Sequence, residues 1–374
     1  MNDNPLFKPF ESRNLTLKNR IVMAPMTRQY SPGNVPNELN AAYYARRAKG
    51  GVGLIITEGT LVGHKAANGF SNVPHFYGAE ALAGWKEVVT AVHAARGKIV
   101  PQLWHVGGIR RPGQEGPEPE LPGYSPSGMA KPGKVTGHAM TLEDIQETVQ
   151  AFIDSAVHAK ELGFDGVEIH GAHGYLIDQF FWEGTNQRDD NYGGSMHKRS
   201  SIAIEIVKGI RAACGDDFPI ILRFSQWKQQ DYSAKLAQTP EELQDFLMPL
   251  VDAGVDIFHC STRRFWEPEF PEDESGNSDL NLAGWTQKLS GKPAITVGSI
   301  GLSNDFISER KGETFKNGEV TDIDNLIQRM NNHEFELAAV GRALISNPDW
   351  AEKIRTRDNA DIKPYNAEDL KQLI

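Results

Sequence analysis

Two histidines and a tyrosine stand close together in His170-Gly-Ala-His173-Gly-Tyr175. An imidazole N–H can hold a substrate oxygen, and a phenol can give up a proton. The segment follows Gly163-Phe-Asp-Gly-Val-Glu-Ile169, a short apolar run of the kind that forms a buried parallel strand. All three groups are therefore expected where a strand ends and its loop begins. Taken alone, His170 and His173 are open to three roles: oxygen-holding donors, metal ligands or hydrogen-bonded structural groups. No His-Glu-x-x-His pattern and no evident third ligand accompany them, so no metal is expected. Tyr175 alone could be a packed loop aromatic.

Other chemistry-bearing residues also follow apolar runs. They are Ala24-Pro-Met-Thr27-Arg28, Thr57-Glu58-Gly59-Thr60, Gln102 with Trp104-His105, Arg223 to Lys228, Gly298-Ser299 and Gly341-Arg342. Gln102 and Arg223 are polar groups in otherwise apolar strands, and a buried arginine needs an anionic or acceptor-rich partner. Arg223 could pair with Glu168, and Gly341-Arg342 could be a turn plus a surface charge. A planar, phosphorylated cofactor would satisfy Gln102 and Arg223 at one end. At the other, Gly298-Ser299 and Gly341-Arg342 would hold its phosphate, because glycine lets the backbone approach closely and arginine binds phosphate in a bidentate fashion.

The elements that must position these groups repeat along the chain. Eight apolar runs recur at Arg20–Ala24, Val52–Thr57, Lys98–Leu103, Asp165–Ile169, Pro219–Phe224, Ile257–Cys260, Pro293–Val297 and Leu337–Val340. Amphipathic stretches separate them: Asn37–Lys49, Ala79–Ala95, Thr141–Leu162, His197–Ala213, Thr239–Ala253, Leu282–Leu289 and Asp322–Asn332, with a last short helix at Ala367–Leu373. Thr141 heads its helix as a cap, with Glu143 and Asp144 in the first turn. Strand–helix alternation of this kind implies an all-parallel sheet. Eight units favour a closed barrel, and no Gly-x-Gly-x-x-Gly follows the first strand to support a dinucleotide fold.

The expected fold class is therefore α/β: a single TIM (β/α)8 barrel spanning residues 1–374. Phe10–Leu17 alternates polar and apolar residues and is expected to form an N-terminal hairpin plugging the barrel's bottom. Two loops are long. Gly107–Met140, after strand three, carries eight glycines and six prolines and should be irregular. Arg263–Leu280, after strand six, embeds Phe265, Trp266 and Phe270 in an acidic stretch; Arg263, Phe265 and Trp266 read as loop packing, with a lid as the alternative, and Glu267–Asp279 as a solvated face.

Composition narrows the partners. The net charge of -10 argues against nucleic acid. Two cysteines cannot build a thiolate iron–sulfur or zinc framework and fit a reducing cytoplasm. No apolar run reaches the ~20 residues of a membrane helix, and the start Met1-Asn-Asp-Asn-Pro lacks a signal pattern. A cytoplasmic enzyme acting on a small molecule is expected, with no membrane partner. Its oligomeric state is open, a homo-oligomer being possible.

The chain resembles the Old Yellow Enzyme family of flavin-dependent ene-reductases. The resemblance runs from Pro9 to Trp350. It is carried by Asn19-Arg-Ile-Val-Met-Ala-Pro-Met-Thr-Arg28, Ile56-Thr-Glu-Gly59, Pro101-Gln-Leu-Trp-His105, Gly166-Val-Glu-Ile-His-Gly-Ala-His-Gly-Tyr-Leu-Ile177, Arg188–Ser195, Val297-Gly-Ser299 and Val340-Gly-Arg342. Each motif is weak alone, but their order and strand positions make the match specific.

The resemblance implies non-covalent FMN at the barrel's C-terminal face, with NADH or NADPH as reductant. It implies that Ala24, Pro25, Met26 and Thr27 line the flavin ring, that Gly59 touches it through the backbone, and that Gln102 meets its pyrimidine edge. Arg223 would sit beside N1 and O2, and Gly298, Ser299, Gly341 and Arg342 would hold the phosphate. His170 and His173 would bind the substrate's activating oxygen, Tyr175 would protonate the α-carbon, and Trp104 would line the substrate pocket. Family members carry Asn or His at the second ligand position, and this chain has His173. Thr27 replaces the cysteine of one subgroup, so thiol tuning of the flavin is not expected. Phe265 and Trp266 match no family role. The implied activity is reduction of activated C=C bonds in α,β-unsaturated carbonyl or nitro compounds. The alternatives are a single-domain flavin-dependent amine demethylase or dehydrogenase, and a non-catalytic flavin-binding protein.

Overall fold

The computed structural model describes residues 4–13, 15–114, 118–304, 318–356 and 359–374. Met1, Asn14 and residues 115–117 of the 107–140 loop lie outside them. Eight parallel strands close into a barrel: Ile21–Met23, Leu54–Leu61, Lys98–Trp104, Val167–His173, Ile220–Lys228, Ile257–Ser261, Ala294–Val297 and Leu337–Val340. The last pairs with the first, Ala338 opposite Ile21, so no edge remains. Each strand falls on one of the eight apolar runs.

Three strands outrun their apolar segments by a full four residues. The second continues through Glu58 to Leu61, the fourth through His170 to His173 and the fifth through Ser225 to Lys228. His170 and His173 therefore stand on the strand itself rather than in the loop after it. Register shifts at Ile56/Gly59 and at Gly171/His173 mark where the ladder gives way near the rim.

The pleat sorts the barrel interior by height. Val22, Leu54, Ile56, Val100, Ile221, Ile257, Ile295 and Leu337 form an apolar cluster with Phe10, Leu15 and Leu17. The last three belong to the antiparallel hairpin Phe10–Ser12 and Leu15–Leu17, which closes the barrel's bottom as its alternation suggested. Two residues further along several strands, on the same face, the interior becomes polar. Val100 gives way to Gln102, Ile221 to Arg223, and Ile257 to His259 and then Ser261, because inward positions recur with period two. The site is thus a polar layer resting on an apolar floor.

The surrounding helices begin and end on local chemistry. Thr141 and Asp144 form a reciprocal capping box at the start of Leu142–Leu162, and Gly163 ends that helix in the left-handed conformation. The stretch expected as one helix over His197–Ala213 is two, Met196–Arg199 and Ser201–Cys214. The last short helix is a 3-10 turn, Ala367–Lys371, and Leu176–Phe181, Arg342–Ser346 and Trp350–Thr356 are helices too short to leave a periodic signal. The 107–140 loop is more ordered than its glycines and prolines suggested. Within it Tyr124–Ser125 pairs with His138–Ala139, and Met129–Lys131 with Lys134–Val135.

Candidate active site

A cavity of about 330 Å³ opens at the C-terminal end of the strands, within the size range of small-molecule sites. Ala24, Pro25, Met26, Thr27, Gln102, Trp104, His170, His173, Tyr175, Arg223, Gly298, Ser299, Gly341 and Arg342 all line it. Residues from seven barrel strands or the loops after them meet there. Gly59 does not line it; its backbone lies against the Trp104 indole, where an added Cβ would stand 2.5 Å from the ring.

One part of the lining is a fixed polar network. Gln102 Nε2 donates to Glu168 Oε1 at 2.7 Å, and Glu168 Oε2 is 2.6 Å from His259 Nδ1. Glu168 and His259 have no solvent exposure. Arg223, also buried, donates from Nη2 to Ser261 Oγ at 3.2 Å, while its Nε has no partner. Burial pulls the Arg223 guanidinium below its ordinary range, and the negative charge of Glu168 opposes that pull. A buried guanidinium nitrogen without an acceptor is costly in isolation. An acceptor-rich planar ring above Gln102 and Arg223 would satisfy it.

The aromatic wall contains the opening segment. The rings of His170 and Tyr175 are 5.1 Å apart, those of Tyr175 and Trp104 4.8 Å, and those of His170 and His173 5.2 Å, each pair edge-on. His170 Nδ1 accepts from the Ala172 N–H at 3.4 Å, which leaves the Nε2 side to carry a hydrogen. The two histidines are not equivalent. His173 Nε2 lies 2.7 Å from Ser261 Oγ, and its ring stacks on Trp227 at 4.5 Å. Burial first, then the charge of Arg223, holds both imidazoles well below their ordinary range. At neutral pH they are uncharged hydrogen-bonding groups, not cations.

At the other end, the backbone after strand seven bends sharply. Gly298 has φ +135° and Ser299 φ +55°. The single Ser299 hydroxyl hydrogen lies within reach of the Arg263 and Asn304 carbonyls, at 3.1 and 3.0 Å from Oγ. Arg342 donates to the Asn304 carbonyl and lies over the Tyr365 ring at 5.5 Å. A Cβ on Gly341 would take up room 3.6 Å from Met26 Sδ. This open backbone beside a guanidinium suits a phosphate.

The chain matches the model of the NADH:flavin oxidoreductase / NADH oxidase family over residues 5–361. The chain belongs to that family. It is an Old Yellow Enzyme homologue and an NAD(P)H-dependent flavin oxidoreductase, holding FMN non-covalently. 12-Oxophytodienoate reductase 7 of Oryza sativa subsp. japonica is 40% identical over 385 residues, covering 96% of this chain and 90% of the relative. NADH oxidase of Thermoanaerobacter brockii is 33% identical over 367 residues, covering 96% of this chain; the chain spans only 52% of that longer relative. A structure of morphinone reductase in complex with tetrahydroNAD superposes with a TM-score of 0.79 at 27% identity, over 98% of this chain and 94% of that one. The family's FMN fits the residues described: an orphaned Arg223 nitrogen at one end of the cavity and open glycine backbone beside Arg342 at the other.

Several site residues escaped the sequence reading. Arg263, read as loop packing, lines the cavity together with Trp227, Ser261, Ile300 and Leu302. Ser261 and His259 could have been found from their period-two spacing after the apolar Ile257. Arg263 offered no such signal, since it lies in an aperiodic loop. That loop's aromatics do pack: Phe265 and Phe270 are buried, Phe270 against Trp285 at 5.6 Å. Its acidic run is not uniformly solvated. Glu269 turns inward to accept from Gln226 and Lys235, and burial raises its carboxyl above the ordinary range. Both cysteines are free and buried. Among the described residues no helix is long and apolar enough to cross a membrane, and no group of three or more His, Cys, Asp or Glu could hold a metal.

Proposed function

We propose that this enzyme reduces activated C=C bonds in α,β-unsaturated carbonyl or nitro compounds. His170 and His173 hold the activating oxygen and Tyr175 gives a proton to the α-carbon. The observation that carries this reading is the grouping of His170, His173 and Tyr175 with Trp104 in the wall of one cavity, with Gln102 and Arg223 also lining it. When bound, FMN supplies the redox chemistry, accepting hydride from NADH or NADPH and giving hydride to the alkene.

The protein's own work is then electrostatic and geometric. Reduction of an enone builds negative charge on its oxygen. Neutral imidazole donors fixed by burial meet that charge without solvent reorganisation. Arg223 keeps a positive charge at the cavity floor, where Ala24 to Thr27 and Gln102 would seat the ring and Gly298, Ser299, Gly341 and Arg342 its phosphate. Trp104 packs against Tyr175 and Trp227 against His173 in the cavity wall, so the indoles fix the rings that would deliver the proton and hold the oxygen.

The test is steady-state consumption of NADH and of NADPH by purified protein with enones, nitroalkenes and N-methylated amines. Turnover of enones or nitroalkenes is expected. Turnover of the amines alone would assign the scaffold to demethylation, and no turnover at all to flavin binding without catalysis.

A further inference from the structure

The reaction as described does not touch Lys228 and Asp178. Lys228 Nζ lies 2.5 Å from Asp178 Oδ1, and neither side chain has any solvent exposure. An ion pair this deeply buried is weak evidence for stability, since removing two charges from water offsets their attraction. Its geometry is therefore more informative than its energy. The pair joins the end of the fifth strand to the helix Leu176–Phe181, which starts directly after Tyr175.

Between His170 and that helix the chain turns through two consecutive left-handed residues, His173 at φ +66° and Gly174 at φ +75°. Histidine rarely adopts that conformation, so the surroundings must impose it. The Gly174 N–H donates to Asp178 Oδ2 at 2.7 Å, the oxygen not engaged by Lys228. Lys228 Nζ also donates to the Ser225 carbonyl at 3.1 Å, while Ser225 Oγ accepts from the His173 N–H at 2.9 Å. Gln179 and Gln230 donate to the Gly174 carbonyl at 2.8 and 2.9 Å. An added Cβ on Gly174 would stand 1.9 Å from Gln230 Oε1, so a larger residue there would have to push Gln230 off the turn. His173 has further anchors of its own in Trp227 and Ser261. Tyr175 follows the turn, and the Lys228–Asp178 pair is the charged part of the clamp.

We infer that Lys228 and Asp178 are positioning residues. Their buried ion pair holds the His173–Gly174 turn and thereby aims the Tyr175 hydroxyl at the site of proton delivery. This rests on the reading of Tyr175 as proton donor. Removing the charge of Asp178 would leave FMN and the His170 wall in place while misaiming the donor.

The experiment uses FMN-loaded enzyme and anaerobic rapid mixing, first with NADPH or NADH and then with cyclohex-2-enone. The variants are Asp178→Asn, Tyr175→Phe and both together. Asp178→Asn is expected to change flavin reduction by less than about twofold. It should slow reoxidation by the enone about tenfold or more, with a larger solvent deuterium effect. Adding Asp178→Asn to Tyr175→Phe should cost little further, because the group being aimed is already gone. Equal loss in both half-reactions, or full additivity with Tyr175→Phe, overturns the inference. If Tyr175→Phe alone leaves reoxidation unchanged, the proton-donor reading fails instead. Should Asp178→Asn not hold FMN, Lys228→Arg keeps the charge but displaces it, and the same split between half-reactions is expected.

Discussion

The Gln102 amide donates to Glu168 Oε1 at 2.7 Å with both side chains buried. The carbonyl oxygen of Gln102 is thereby left as the acceptor on its other side. Glu168 does more than orient one amide. It is bound to His259, and its charge opposes the loss of the Arg223 proton.

Glu168→Gln should accordingly weaken FMN binding by about tenfold or more and lower the melting temperature. Uncoupling a buried charge from its compensation costs about 3–5 kcal/mol, and part of that falls on the site. Titration of apoprotein with FMN, followed by flavin fluorescence, measures the first effect, and thermal unfolding the second. Undiminished FMN affinity would show that Glu168 does not govern the orientation of Gln102.

Tyr175→Phe removes one hydroxyl from a ring already packed between Trp104 and His170. Packing should survive, and general-acid catalysis typically contributes about 10²–10⁴-fold. Reoxidation by an enone should slow by at least about 10²-fold, while flavin reduction by NAD(P)H stays near the parent rate. Stopped-flow absorbance resolves the two steps. A parallel fall in both would remove Tyr175 from the donor role.

Arg342→Met tests the phosphate end. A charge-assisted hydrogen bond contributes about 1.5–3 kcal/mol, so FMN affinity should drop about 10- to 100-fold. Riboflavin, which lacks the phosphate, should bind the parent and the variant alike. Paired titrations of apoprotein with both flavins give the comparison, and an equal loss for riboflavin would place Arg342 elsewhere in the structure's support.

Acid stability follows from histidines buried in their neutral form. His64 and His75 are each lowered to about 4, mainly by burial, and burial also depresses His105, His170, His173 and His259. The unfolded chain binds protons near pH 6.5, where these folded groups do not. Stability therefore falls as pH drops from 6.5 towards 4, by up to about 1.4 kcal/mol per pH unit for each histidine. Glu58 acts in the opposite sense: burial raises it to about 7, so the folded state gains a proton first, and burial raises Asp178 and Glu269 in the same direction. With six histidines against three carboxyls, urea unfolding should show declining stability from pH 6.5 to 5. His64→Gln should make the slope shallower, since glutamine can still accept from His105. A flat profile in the parent would contradict the buried neutral assignment.

Much of the barrel was legible because parallel strands covered on both faces read as apolar runs. The hairpin under the barrel was legible for a related reason: Phe10, Leu15 and Leu17 alternate with polar neighbours and fill the interior's lower layer. Strand ends were not. At Glu58, His170 and Lys228 the residues turn polar while the hydrogen-bond ladder continues, so the hydrophobic signal stops before the strand does.

The sequence by itself determined the chemical inventory: His170, His173 and Tyr175 on one strand end, Gln102 and Arg223 within apolar strands, and glycine beside Arg342. Residue type and local spacing suffice for that, because each group's chemistry is intrinsic. Only the tertiary structure decided how these groups are held. Glu168 reaches Gln102 across 66 residues of chain, Ser261 joins Arg223 to His173, and Lys228 meets Asp178 out of water. Such pairings depend on barrel register and closure, which bring distant inward-facing residues to the same height. No local pattern in the chain encodes that distance.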